Sequence, residues 1–245
     1  GLESLEDTMR TVTVMAEAAL EASLAHHLAQ QTALWGAPTD ARLTILGMGK
    51  LGGGELNVSS DIDIICAYAV DGETAGPRVR DHADFFTRVV QGLAKSLDQQ
   101  TADGFVFRVD QRLRPWGSAG RLVLPVAAVV EYYEQHGREW ERFALLKARA
   151  VAGDRTLGNS LLAELTPFMY RKYLDFGVFE SIRDLKQKIA SEVRRQGKTD
   201  NVKLGEGGIR EAEFIVQALQ LLRGGRLPDL RTPATLGALT KSREG

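Results

Sequence analysis

The sequence predicts an α+β fold, in which a mixed sheet with helices is followed by an all-helical C-terminal domain. Short apolar segments of strand character, separated by glycine-rich or polar turns, occur between residues 43 and 124. Beyond residue 127, apolar residues recur almost throughout at the spacing of amphipathic helices. We therefore expect two domains, residues 1–153 and 154–245, which meet near Gly153-Asp154.

The N-terminal domain is predicted to alternate between helices and short strands. An Ala- and Leu-rich helix covers about residues 3–31, and a loop containing Gly and Pro follows it. An amphipathic helix over residues 81–99 has its apolar residues on one face. The predicted strands are residues 43–46, 61–68, 105–110 and 121–124.

The C-terminal part is predicted to contain helices at about residues 127–135, 139–151, 178–195 and 208–222. The chain begins with Gly1 and ends shortly after a periodic apolar segment. We interpret it as a piece of a longer protein.

The composition is that of a soluble globular protein, with 245 residues, 44% of them hydrophobic and 26% charged. The net charge of −1 gives no reason to expect a nucleic-acid partner. No apolar stretch approaches the roughly 20 residues of a membrane span, and the N-terminus lacks the layout of a signal peptide. The single cysteine, Cys66, excludes a disulfide framework. We expect a cytoplasmic protein with no membrane partner.

Two aspartates in the second predicted strand are the first candidates for catalysis. Asp61 and Asp63 are two residues apart, so both point to one face of the strand. Their carboxylates would stand roughly 6 Å apart and repel each other by ~3 kcal/mol. Either the pair is solvated at the protein surface, or a cation bridges it.

Asp110 ends the next predicted strand and could reach the same patch. Three carboxylates around Mg²⁺, or alternatively Mn²⁺, would stabilise the charge that develops in phosphoryl and nucleotidyl transfer. The sequence thus predicts Asp61, Asp63 and Asp110 as catalytic residues and as metal ligands.

A glycine-rich segment precedes the two aspartates, and we call residues 47–54 the glycine loop. Its glycines allow the backbone to approach a phosphate closely, or they serve only a tight connection between strands. On the first interpretation, the nucleotide-binding residues of this region are Gly49, Lys50, Gly52, Gly53, Ser59 and Ser60.

The glycine loop also satisfies the dinucleotide-binding pattern G-x-G-x-x-G. That pattern requires a long amphipathic helix directly after the third glycine, whereas only residues 53–60 separate Gly52 from the next strand. We reject the Rossmann interpretation for this reason. A P-loop is excluded as well, because no Gly-Lys-Ser/Thr stands at the required spacing.

Arginines alternate with Asp110 along the chain at Arg108, Arg112 and Arg114. Guanidinium groups beside carboxylates suit a site that holds both metal ions and phosphate oxygens. Ordinary structural pairing between Arg and Asp is the alternative. We expect Arg112 or Arg114 to receive a phosphate group.

Three long motifs resemble one known family. They are Gly47 to Asp63 (GMGKLGGGELNVSSDID), Val109 to Pro115 (VDQRLRP) and Lys203 to Phe214 (KLGEGGIREAEF). The chain resembles the nucleotidyltransferase superfamily typified by DNA polymerase beta. Within it, residues from about 41 to 240 are similar to the family of bifunctional glutamine synthetase adenylyltransferase/adenylyl-removing enzymes.

This resemblance implies the fold, the activity and the partners. That family has an adenylyl-removing N-terminal half and an adenylylating C-terminal half, and three details resemble the N-terminal half: residues 55–60, Arg210-Glu211 and residues 222–226. The implied reaction is phosphorolysis of the adenylyl-tyrosine bond of glutamine synthetase, which releases ADP and active enzyme and regulates nitrogen assimilation. Implied partners are adenylylated glutamine synthetase, ADP or ATP, phosphate and, through the full-length enzyme, the PII signalling protein.

Two other functions stay open at the level of sequence. One is adenylylation of glutamine synthetase from ATP on the same fold. The other is a non-catalytic module that binds nucleotide or PII. The helix expected to start at Gly207-Gly208 is equally open, because Arg210, Glu211 and Glu213 could reach the active site or simply stabilise the helix start.

Overall fold

The computed structural model describes residues 4–170 and 209–234. The helix predicted at residues 178–195 lies outside the described residues. Within them the protein is α+β, as the sequence predicts. Its first helix is α1 (Leu5–Trp35), four residues longer at its C-terminal end than expected.

The sheet positions the candidate site, and the described residues contribute five strands to it. These are β1 (Leu43–Gly47), β2 (Ile62–Tyr68), β3 (Val109–Asp110), β4 (Val123–Pro125) and β5 (Arg149–Gly153). The order is β3-β2-β1-β5, with β4 also beside β2. β1 pairs antiparallel with both β2 and β5, whereas β3 and β4 run parallel to successive parts of β2.

The central strands form because their side chains are apolar and covered on both faces. Every residue of β1 is buried, and so is every residue of β2 except Asp63. The helix α3 (His82–Asp98) contributes Phe85, Phe86, Val89 and other apolar residues to this core. Asp81 begins α3 by accepting a hydrogen bond from the main-chain N–H of Asp84.

The chain between β2 and β4 differs from the prediction. A strand was expected over residues 105–110, but only Val109 and Asp110 pair with β2. Phe105 and Val106 are exposed, and the main-chain N–H groups of Val106 and Phe107 both donate to Leu97 O at the end of α3. Residues 105–107 therefore stay at the end of α3, and the segment reaches β2 only from Arg108 onward, where Arg108 O accepts from Ile62 N at 2.9 Å.

The prediction of one helix over residues 139–151 is wrong. A short helix, α5 (Glu139–Leu145), follows α4 (Val126–His136), and the chain then forms β5. β5 pairs with the edge of β1 that β2 leaves free. Its residues Ala150, Val151 and Ala152 are buried there. The local sequence suits a helix, but unpaired main-chain groups at a sheet edge stabilise an added strand.

The chain forms two compact units, residues 1–136 with 147–165, and residues 137–146 with 166–245. The boundary expected near residue 153 lies within the first unit, because β5 belongs to the sheet. In the second unit, α7 (Ile209–Arg223) contributes Phe214, which stacks on Phe143 of α5. α6 (Arg155–Met169) ends in this unit, where buried Arg142 donates to Met169 O.

Within residues 4–170 and 209–234, no helix is both long and apolar enough to cross a lipid bilayer.

Candidate active site

Asp61 and Asp63 lie at the start of β2. Ile62 and Ile64 are fully buried, so the strand's alternation directs the two aspartates to the opposite, less covered face. Asp61 is exposed and comes just before β2, while Asp63 is partly buried within it. The sequence prediction that the two acids share a face agrees with this alternation.

Asp110 lies next to Asp63 on the neighbouring strand. In the parallel pairing of β2 with β3, Ile62 is in register with Val109 and Asp63 with Asp110. Residues in register on adjacent strands direct their side chains to the same face. Burial, followed by the negative charges of Asp110 and Asp61, raises the pKa of Asp63 to about 6, while the charge of Arg112 opposes the shift.

Two arginines bind the other two aspartates. Arg108 Nε donates to Asp61 Oδ1, and its Nη2 donates to the main-chain oxygen of Ser59 at 2.8 Å. Arg112 Nε donates to both Asp110 oxygens at 3.0 and 2.8 Å. The hydrogen bonds from Arg112 hold the pKa of Asp110 below its usual value.

The acids were tested for their fit to a divalent cation. Within residues 4–170 and 209–234, no group of three His, Cys, Asp or Glu side chains is arranged as a metal site. The donor chemistry does fit Mg²⁺ or Mn²⁺, because these cations prefer oxygen ligands and the repulsion of Asp63 by Asp110 and Asp61 would be relieved by a bound cation. Ligation by all three acids requires Asp61 and Asp110 to leave their exposed arginine partners, and such surface ion pairs contribute little to stability.

The glycine loop lies against the aspartates. Met48 N donates to Asp63 O at 2.8 Å, and residues Gly49–Gly52 form a single helical turn, α2. Gly49 has φ +51°, and a Cβ there would come within 3.2 Å of Asp63 Oδ2. The single turn confirms that no long dinucleotide-binding helix follows the loop.

The remaining predicted nucleotide-binding residues lie in this turn or in the segment that leads from it to β2. Buried Gly53 ends α2, and its N–H donates to Gly49 O. Lys50 is partly buried. Ser59 is exposed with a left-handed φ of +65°, and Ser60 N donates to Asn57 O. The backbone around Ser59 is held by Arg108, which sequence reasoning placed beside Asp110 but did not include in the site.

The two arginines after Asp110 have different environments. Arg114 donates to the main-chain oxygens of Gln111, Ser118 and Gly120, at 2.7, 3.2 and 3.2 Å. It thereby holds the loop after β3, which contains a short 3-10 helix at Gly117–Ala119. The side chain of Arg112 is 77% exposed. Among the hydrogen bonds and ion pairs of the described residues, its only partner is Asp110. Arg112 is therefore better placed than Arg114 to bind a phosphate.

Two known families match separate parts of the chain. The family described as Glutamate-ammonia ligase adenylyltransferase matches residues 1–164. The chain belongs to this family. A second family, described as GlnD PII-uridylyltransferase, matches residues 183–244.

Individual members of the adenylyltransferase family are closely similar to the chain. A bifunctional glutamine synthetase adenylyltransferase/adenylyl-removing enzyme of Thioalkalivibrio sulfidiphilus is 52% identical over 94% of this chain and 24% of its own length. The enzyme of the same description from Pseudomonas aeruginosa is 51% identical over 91% of this chain and 23% of its own length. The chain thus spans about a quarter of the relatives it matches.

Sequence reasoning missed one residue that contacts the glycine loop in this family member. Arg149 of β5 donates to the main-chain oxygens of Gly52 and Leu51 at 3.0 and 3.2 Å. It lies 97 residues from Gly52 along the chain. No local pattern could reveal this contact, because it depends on β5 pairing with β1.

Proposed function

We propose that the chain removes adenylyl groups from glutamine synthetase by phosphorolysis, acting in the cytoplasm to regulate nitrogen assimilation. An oxygen of inorganic phosphate forms a bond to the phosphorus of the AMP group, and the bond from that phosphorus to the tyrosine oxygen breaks. The tyrosine oxygen takes a proton. The products are ADP and unmodified, active glutamine synthetase.

The pairing of Asp63 with Asp110, together with the position of Gly49 against Asp63, supports this proposal most directly. A nucleotidyl transfer site needs carboxylates for a divalent cation directly beside a backbone that a phosphate can approach. Gly49 has no Cβ to separate its backbone from Asp63. The glycine loop and the serines before β2 then bind the adenylyl phosphate next to the acids.

Asp61, Asp63 and Asp110 are the proposed ligands of Mg²⁺ or Mn²⁺. The bound ions would neutralise charge on the phosphate oxygens during in-line displacement. If Asp110 held a cation, Arg112 would be available for the attacking phosphate, and we assign it that role. Arg108 would keep its hydrogen bond to Ser59 O if Asp61 held a cation.

Adenylyl removal is preferred to adenylylation because of three segments that resemble the removing half of the family: residues 55–60, Arg210-Glu211 and residues 222–226. The names of the two relatives include both activities. Regulation by PII is proposed for the full-length enzyme, and the family matched at residues 183–244 is itself described by an activity on PII.

The test is to incubate the chain with adenylylated glutamine synthetase, Mg²⁺ and phosphate, and to measure ADP by chromatography. We expect ADP to be released in proportion to the adenylyl groups lost. Asp63→Asn and Asp110→Asn should each lower the rate by about 100-fold or more, as expected when charge stabilisation at a reacting phosphate is removed. Asp98→Asn, at an exposed site on α3, is the matched control and should be as active as the wild type.

Parallel reactions distinguish the other two functions. Incorporation of AMP from ATP into unmodified glutamine synthetase, without release of ADP in the first assay, would identify the chain as an adenylylating enzyme. Nucleotide or PII binding that persists in both Asp→Asn variants, with no turnover in either direction, would identify a binding module.

A further inference from the structure

Arg149 joins three separate parts of the first unit. From β5 its Nε donates to Gly52 O at 3.0 Å, and its Nη2 donates to Leu51 O at 3.2 Å. The same Nη2 donates to Glu17 Oε1 of α1 at 2.5 Å. We propose that Arg149, held by Glu17, is a positioning residue that keeps the glycine loop ready to bind nucleotide phosphates, an inference that rests on the proposed function.

The glycine loop needs such support because of its composition. Five of its eight residues are glycine, which loses more backbone freedom on ordering than any other residue. Its one helical turn, α2, ends at the carbonyls of Leu51 and Gly52. Leu51 O accepts from Gly54 N within the loop at 3.2 Å, and both carbonyls accept from Arg149. The guanidinium of Arg149 donates to both carbonyls and so holds the C-terminal end of the turn. Gly49, at the N-terminal end of the same turn, lies against Asp63.

Glu17 is the counter-ion that makes this position favourable for Arg149. Arg149 is about two-thirds buried, and a charge in that setting requires a partner. Glu17 is itself mostly buried and accepts from Arg149 with one oxygen and from Arg155 with the other, at 2.5 and 3.4 Å. The ion pair with Glu17 therefore fixes the Arg149 guanidinium in the position from which it donates to Gly52 O and Leu51 O.

α1 supports the following segment as well. Thr13 Oγ1, one turn before Glu17, accepts a hydrogen bond from Leu56 N at 3.2 Å. Lys147, two residues before Arg149, forms a largely buried ion pair with Glu55 at 3.2 Å. Both contacts join the chain just after the glycine loop to the elements that hold Arg149. The loop is thus attached to α1 and to the segment leading into β5.

Arg155 provides a matched control for Arg149. It also binds Glu17, but its other hydrogen bond goes to Val151 O in β5 and not to the glycine loop. Replacing either arginine with methionine removes one partner of Glu17. Only Arg149→Met removes donors from the loop.

The experiment measures ADP affinity with Mg²⁺ by calorimetry, ADP release from adenylylated glutamine synthetase, and hydrogen exchange of residues 49–56, all in the 245-residue chain. Arg149→Met should weaken ADP binding and raise KM for adenylylated glutamine synthetase about tenfold, as loss of two charged hydrogen bonds implies, with a smaller effect on kcat. The loop amides should exchange faster. Arg149→Lys, which keeps one donor, should restore part of the affinity, and Arg155→Met should match the wild type.

Wild-type ADP affinity and unchanged loop exchange in Arg149→Met would overturn the proposal. Equal losses in Arg149→Met and Arg155→Met would also overturn it, because loss of a partner for Glu17 would then explain both. If Arg149→Met does not fold, Arg149→Lys and Glu17→Gln decide by the same readouts. If the wild type neither binds nor releases ADP, the proposed function fails, whereas hydrogen exchange still decides whether Arg149 orders the loop.

Discussion

Asp63 and Asp110 form a cross-strand pair of like charges on the parallel strands β2 and β3. Such a pair is destabilising unless a cation compensates it. Arg112 supplies that compensation to Asp110, whose pKa is lowered, while the pKa of Asp63 is raised to about 6 by burial and by the two neighbouring carboxylates. Binding of a cation by Asp63 would relieve this unfavourable charge.

Asp63→Asn is expected to stabilise the metal-free protein at neutral pH. The raised pKa of Asp63 means that its ionised form is disfavoured in the folded state, so its penalty is absent below about pH 4 and complete above about pH 6. After allowance for solvent screening, the gain at pH 7 should be about 1–2 kcal/mol. Urea unfolding of variant and wild type in EDTA, from pH 4 to pH 7.5, measures it.

The pH dependence of the difference is the decisive quantity in that experiment. The stability advantage of Asp63→Asn should be small at pH 4 and grow through the window from about pH 4 to pH 6. An advantage that is equal at every pH would contradict the assigned cause. Asp98→Asn serves as the control and should show no such growth.

Divalent cations are expected to stabilise the wild type through the same carboxylates. Mn²⁺ or Mg²⁺ at 100 times its dissociation constant should raise the free energy of unfolding by about 2.7 kcal/mol. Thermal unfolding at pH 7.5 with and without the ion measures this effect. Asp63→Asn and Asp110→Asn should abolish most of it, and an unchanged metal response in both variants would exclude the proposed ligands.

Gly52→Ala and Gly54→Ala should differ strongly, although both residues lie in the glycine loop. A Cβ at Gly52 would lie 1.9 Å from Lys147 O, so we expect a loss of about 3 kcal/mol or more together with lost nucleotide binding. At Gly54 no atom lies within 4 Å, and only the φ of +71° opposes a side chain, at about 1 kcal/mol. Chemical unfolding and ADP calorimetry distinguish the two, and similar losses would contradict the close packing of Gly52 against Lys147.

Cys66 is expected to be chemically inert in the folded protein. It is buried in β2, and burial raises the pKa of its thiol to about 12, so almost no thiolate exists at neutral pH. Ellman's reagent should label it only after denaturation. Cys66→Ala should keep the rate of ADP release, and loss of activity in a folded Cys66→Ala protein would reopen a role for the thiol.

The central part of the candidate site could be proposed from the sequence because its signals are local. Glycines before a strand, two aspartates at a spacing of two, and a third after the next apolar segment all lie within short segments. The structure places Asp63 and Asp110 in register as that reasoning requires. The sequence could not distinguish the role of Arg114 from that of Arg112, because both residues follow the same alternating pattern. The structure distinguishes them, since Arg114 binds the main-chain oxygens of its own loop.

The C-terminal boundary of the sheet could not be predicted in the same way. Residues 139–151 contain good helix formers, and their local pattern suits a helix. β5 forms because β1, about 100 residues earlier in the chain, has a free edge whose main-chain groups can pair with it. Residues 150–152 become buried in that position. The same pairing places Arg149 behind the glycine loop.

By itself, the sequence determined α1, α3, α4 and α7, the apolar central strands β1 and β2 and the acids at the start of β2, because each depends on residues close together in the chain. Tertiary structure alone decided the existence of β5, the partners of the arginines and the pKa of Asp63. These depend on which distant segments share an edge or a buried space, since hydrogen-bond pairing and electrostatic interactions act through distance in space and not through position along the chain.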